Sequence, residues 1–105
     1  LAQFDVHKNK NPRTRSAFPF LVDVQSDLLE PLGTRVVVPL TKAAGLAKTP
    51  VSHLTPPVLF DGETYVLITP QLAGIARVEL GARVGTLAHE REKVLGAIDF
   101  LVTGF

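Results

Sequence analysis

The chain has 105 residues, enough for one domain with a single core and too few for two. Hydrophobic residues make up 46% and charged residues 20%, which argues against disorder, and a net charge of +1 with both signs dispersed argues against a general nucleic-acid binder. There is no cysteine for a disulfide or thiolate metal site. No apolar run reaches the ~20 residues of a membrane helix, and Asp5, His7, Lys8 and Lys10 interrupt the N-terminus too early for a signal peptide. The expectation is a soluble, cytoplasmic protein.

In chain order, the first two-thirds reads as β-structure. Phe4 and Val6 alternate with Gln3, Asp5 and His7, the period-2 pattern of a half-buried strand. Phe20, Val22 and Val24 repeat it, with Asp23 and Gln25 on the opposite face, and Val36, Val38 and Leu40 supply a third strand. Between the third and fourth strands, Thr41–Lys48 predicts one or two helical turns, weakened by Gly45. The fourth and fifth strands, Val58–Phe60 and Glu63–Thr69, are joined by Asp61-Gly62. That dipeptide suits a type I′ hairpin, which needs positive φ at both central residues. A short sixth strand is expected through Ala76, Val78 and Leu80, so that strands run to about residue 80. The period then changes. With Thr86 as N-cap, Leu87, Val94, Leu95, Ile98, Leu101 and Val102 recur at helical spacing, predicting a helix over about 86–103. Its aliphatic side chains require it to lie on the sheet. The expected architecture is mainly β with one C-terminal helix in a single domain, 1–105, built as a small antiparallel β-barrel or curled sheet.

Few side chains suggest chemistry. His7, His53 and His89 are far apart in sequence, which favours ordinary surface histidines. His89-Glu90 opens like a zinc-protease motif, but Lys93 stands where the second ligand belongs, so no metal or other cofactor is expected. Ser52-His53 lies in a proline-rich stretch without the elbow of a serine hydrolase, and no catalytic residue is assigned. Lys8, Lys10, Arg13 and Arg15 form a cationic segment without an acid. It is either a solvated hairpin loop or a contact for an acidic partner or DNA phosphate. The terminal Phe105 either folds back on the core or is kept for a partner.

The run Phe20-Leu21-Val22-Asp23-Val24-Gln25-Ser26-Asp27-Leu28-Leu29 closely resembles the FVDVQSD stretch of CcdB toxins. The Gln3-Phe4 start, the Arg35–Leu40 strand and the Ala97–Leu101 helix end are similar in order and spacing, so the resemblance covers essentially the whole chain. It implies a homodimer with an SH3-like barrel core. The expected activity is trapping of DNA gyrase on cleaved DNA through the gyrase A subunit. A cognate antitoxin removes the toxin, and the toxin–antitoxin complex binds operator DNA and represses its own operon. The resemblance assigns gyrase binding to Thr103, Gly104 and Phe105, to Asp99 and Val102 on the preceding helical turn, and to the pair Leu28 and Leu29. Thr103 replaces the family's tryptophan and cannot stack on an arginine as an indole does. Asp99 replaces an asparagine, which adds a negative charge.

Two other functions compete. Endoribonuclease toxins share this barrel, and Arg35, Glu30 or His53 could be nominated as acid and base, although no pattern groups them. Thr103 supports an inactive relative that retains only antitoxin and operator binding.

Overall fold

The computed structural model describes residues 2–45 and 53–104. Its strands are β1 (Asp5–Asn9), β2 (Phe20–Asp23), β3 (Thr34–Lys42), β4 (Pro57–Phe60), β5 (Glu63–Leu67), β6 (Ala73–Ala76) and β7 (Leu80–Thr86), followed by the helix α1 (Arg91–Thr103). All pairings are antiparallel in the order β4-β5-β3-β2-β1-β7, and β6 pairs with the first half of β3. The long β3 is therefore flanked on one side by β2 and on the other by β5 and β6 in succession. Pro39 fits at the break between β5 and β6. Its carbonyl accepts from the Ile68 N–H at 2.9 Å, so its missing N–H also points there, where no strand needs a donor.

The core lies between one sheet face and α1. Val6, Val22, Val38 and Leu40 meet Val94 and Ala97 of the helix, with Leu95 and Ile98 packed at the margin. Phe20, Phe60 and Tyr65 form an edge-to-face trio with centroids 5.5–6.1 Å apart. Each such pair contributes about 0.5–1.5 kcal/mol beyond the area it buries. Asp61 and Gly62 have φ of 52° and 76°, as the hairpin reading requires.

The sheet curls until its two ends touch but is not closed by backbone pairing. Side chains bridge the seam instead. Leu59 of β4 donates its N–H to Glu90 Oε2 at 2.9 Å and accepts at its carbonyl from His89 Nε2 at 2.7 Å, while Lys93 Nζ donates to the Pro57 carbonyl at 3.0 Å. These contacts occupy an edge that could otherwise recruit another chain. Across the same seam, the ring of Phe60 lies where a Cβ on Gly85 would be 2.6 Å from its edge. Gly85→Ala is accordingly expected to cost about 1–3 kcal/mol through overpacking, measured by urea unfolding.

Several boundaries differ from the sequence expectation; the strand expected over Glu63–Thr69, for one, ends at Leu67, and a 3-10 turn takes Thr69–Gln71. The strand expected through Ala76, Val78 and Leu80 is two strands separated by a 3-10 turn, Arg77–Glu79: β6 pairs with β3 and β7 with β1, so the chain changes partner between them. Val78 is consequently 81% exposed. Strand structure also continues past residue 80 to Thr86. Thr86 therefore ends β7 rather than capping a helix: the Leu87 N–H is committed to the Phe4 carbonyl at 2.8 Å, and a 3-10 turn, Ala88–Glu90, precedes α1. Finally, β3 continues to Lys42 and a 3-10 turn spans Ala43–Gly45; the rest of the helical turns expected to Lys48 falls outside the described residues.

The second face of the sheet is also different. Asp5, His7 and Asp23 were expected on a half-exposed face, yet they are 6%, 2% and 0% exposed. On that face Asp23 pairs with Arg35, Asp5 with Arg83, and His7 with the Gly81 carbonyl. No helix among the described residues is long and apolar enough to cross a membrane.

Candidate functional site

The run from Phe20 to Leu29 acts as a bracket. Its alternate apolar residues enter the core and its polar residues organise the turn that follows. Asp23 Oδ2 accepts from Arg35 Nε at 2.7 Å with both side chains fully buried, and Asp23 Oδ1 accepts from the Gln25 N–H at 3.0 Å. Asp23 faces Val37 across the ladder, so Arg35 is its diagonal neighbour on the same face. Gln25 accepts from the Val36 N–H at 3.0 Å and donates to the Leu29 carbonyl at 3.2 Å. Ser26 Oγ accepts from the Leu28 N–H at 3.2 Å, and Asp27 Oδ1 accepts from the Gln3 N–H at 2.8 Å.

Every polar side chain of this run is thus engaged, and what the turn presents outward is apolar. Leu28 is 90% exposed and Leu29 47%, with Leu32 at 48% beside them. Glu30 closes the turn from behind, accepting from Arg77 Nη2 at 2.9 Å, with Arg35 Nη1 at 3.6 Å. The hydrogen bond from Arg77 lowers the Glu30 pKa below its ordinary 4.5, aided by the charges of Arg77 and Arg35 against partial desolvation. A lowered folded-state value stabilises the fold above the unfolded pKa, and that contribution disappears as pH falls through the folded pKa. The stability difference between wild type and Glu30→Gln should therefore be constant near neutrality and shrink below pH 4.5, as read from urea midpoints across a pH series.

The second exposed apolar group is the end of α1. Val94 and Ala97 face inward, whereas Asp99, Val102 and Thr103 lie on the outward side; Val102 is 76% exposed and Leu101 41%. Gly104 terminates the helix in the left-handed region, φ 79°, and its N–H bonds the Phe100 carbonyl at 2.9 Å. Thr103 Oγ1 donates to the Asp99 carbonyl at 2.7 Å, which holds the hydroxyl against its own helix. His53 stacks on Phe100 at 5.8 Å between centroids. Phe105 lies outside the described residues.

The structure thus gathers Asp99, Val102, Thr103 and Gly104 at one helix tip and Leu28 with Leu29 on one turn. The 3-10 turns at Thr69–Gln71 and Ala88–Glu90 are the elements packed most closely on α1.

The cationic segment is an ordered turn. Asn9 Nδ2 donates to Thr14 Oγ1 and to the Phe18 carbonyl, at 3.0 and 2.8 Å, and the Asn11 carbonyl accepts from the N–H groups of Thr14 and Arg15. Lys8, Lys10, Arg13 and Arg15 are exposed, and among the described residues none of them forms an ion pair. Lys10 Nζ reaches across to the Val78 carbonyl at 2.8 Å. This segment and the Arg77–Glu79 turn face each other over a cleft of about 440 Å³. Sequence reasoning missed the cleft, because its floor comes from three strands that only the sheet brings together.

Other expected features dissolve. His7 is not at the surface: it is 2% exposed, and its Nδ1–H donates to the Gly81 carbonyl at 3.1 Å. Arg35, nominated for ribonuclease chemistry, is fully buried against Asp23, and Glu30 is held by Arg77, so neither is free to meet a phosphate. Arg77 itself went unnoticed in the sequence; its only signal was a cation on a strand end opposite the turn that carries Glu30.

A family model described as CcdB protein matches residues 3–104, nearly the whole chain. On that match, this chain belongs to the CcdB family, the toxin component of toxin–antitoxin systems.

Proposed function

We propose that this protein is a non-catalytic inhibitor of DNA gyrase. It binds the gyrase A subunit in the cytoplasm and holds the enzyme on cleaved DNA until a cognate antitoxin removes it. The observation that carries this reading is the pairing of a buried polar bracket with bare apolar protrusions: Leu28 at 90% and Val102 at 76% exposure, neither with a core role. Large aliphatic side chains held outward by a rigid scaffold suit recognition of another protein.

Binding is carried by Leu28, Leu29, Asp99, Val102, Thr103, Gly104 and Phe105. As a homodimer the protein offers two such tips to a two-fold partner. Poisoning needs only tighter binding to the gyrase state in which DNA is cut, without an acid, base or nucleophile on the toxin. Lys8, Lys10, Arg13 and Arg15 contact the antitoxin, or operator DNA in the repressing complex.

The test is a cleavage assay with gyrase, ATP and supercoiled plasmid, comparing the full chain with one ending at Val102. Linear, enzyme-linked DNA from the full chain alone supports the reading. Absence of cleavage with both, using gyrase from the same host, overturns it and leaves an antitoxin-binding regulator.

A further inference from the structure

We propose that Arg77 is a positioning residue for gyrase recognition: it clamps the segment from Glu30 to Gly33 so that Leu32 joins Leu28 and Leu29 in one apolar contact surface. The inference rests on the gyrase reading and adds a third contact side chain and the group that holds it in place.

The hydrogen bonds of Gln25, Ser26 and Asp27 order the first half of the leucine turn and reach as far as the Leu29 carbonyl, which accepts from Gln25. In the second half, Glu30-Pro31-Leu32-Gly33, only Glu30 carries a polar side chain. Arg77 orders it from the neighbouring strand. Ala76 pairs with Thr34 where β6 runs beside β3, which brings Arg77 next to Gly33. The Arg77 N–H donates to the Gly33 carbonyl at 3.0 Å. Its Nη1 donates to the Glu30 carbonyl at 3.0 Å and reaches the Leu32 carbonyl at 3.5 Å, while Nη2 donates to Glu30 Oε1 at 2.9 Å. A rigid guanidinium fork meets carbonyls and a carboxylate together, as a lysine ammonium does not.

An ion pair kept for stability alone is satisfied at the Glu30 carboxylate. The carbonyl contacts do something further: they fix the backbone that carries Leu32. The Leu32 N–H donates in turn to the Leu29 carbonyl at 3.0 Å, which keeps the two side chains on one turn. Leu28, Leu29 and Leu32 are all exposed, and none belongs to the core cluster. Backbone ordered before binding need not be ordered by the partner, so the clamp raises affinity without touching gyrase. The Arg77 hydrogen bond also holds the Glu30 carboxyl below its ordinary 4.5, so the clamp stays charged throughout the neutral range.

The test titrates the full chain and its variants into the gyrase cleavage assay, with urea unfolding and amide hydrogen exchange measured on each. Leu32→Ser removes the contact and Arg77→Gln removes the clamp. Each is expected to trap gyrase about fivefold more weakly, with the Leu32 amide exchanging faster in Arg77→Gln. Leu32→Ser/Arg77→Gln should be within about twofold of Leu32→Ser alone, because a clamp acting through Leu32 then has little left to hold. Wild-type trapping by Leu32→Ser overturns the third contact, and this exposed position gives that answer even if Arg77→Gln fails to fold. Wild-type trapping by a folded Arg77→Gln, or losses that multiply to about 25-fold in the double variant, overturn the positioning role while leaving the gyrase reading intact. No trapping by the wild type overturns both.

Discussion

Replacing Arg35 by methionine is expected to lower the free energy of unfolding by about 3–5 kcal/mol, the cost of leaving a buried carboxylate without its counter-charge. Arg35 and Asp23 are both fully buried and meet at 2.7 Å. Among the described residues, Arg35 Nη1 and Nη2 have no hydrogen-bond partner, so the pair is held mainly by that one charged contact. A domain of this size has roughly 5–15 kcal/mol of stability in total, which makes the loss a large fraction of it. Urea unfolding measures it directly. The double replacement Asp23→Leu/Arg35→Met should recover most of the loss, because an apolar pair of similar volume removes the desolvation cost on both sides. A double variant as unstable as Arg35→Met alone would show that the damage is steric rather than electrostatic.

The second large effect is on function with the fold intact. Leu28→Glu and Val102→Glu are each expected to change stability by no more than about 0.5 kcal/mol, since both side chains are largely solvated. Gyrase trapping should nevertheless fall by about 30-fold or more for each, the loss of about 2 kcal/mol that marks a binding hot spot. Titrating each variant into the gyrase cleavage assay gives the ratio. Val84→Glu, another partly exposed valine on β7, serves as the control and should behave as wild type. If Leu28→Glu traps gyrase as well as wild type, the leucine turn is not part of the interface. The same outcome for Val102→Glu would remove the helix tip.

Local pattern was enough to find most of the elements. Alternation located β1 to β5, the Asp61-Gly62 pair located the tight hairpin, and the helical period located α1. These signals are legible because each depends on residues close together in the chain. β7 escaped notice because Gly81 and Gly85 interrupt its apolar alternation. Both glycines are explained only by distant neighbours, the Lys8 backbone and the Phe60 ring, which leave no room for a Cβ.

The candidate site divides in the same way. Leu28, Leu29 and the helix-tip residues were assigned by the family resemblance, since no local period or motif marks a protein-binding surface. Why Leu28 stays exposed was not visible. That depends on Asp23 meeting Arg35, Gln25 reaching the Val36 N–H and Asp27 holding Gln3, contacts between residues 11 to 24 positions apart in the chain. The burial of Asp23 and His7 likewise depends on what covers the second face of the sheet. Sequence by itself thus determined most of the strands and the helix, because hydrophobic period and turn chemistry are local. Only tertiary structure decided which charges are buried, how the open edge is sealed and where a cleft forms, because desolvation and packing depend on neighbours that the chain supplies from far away.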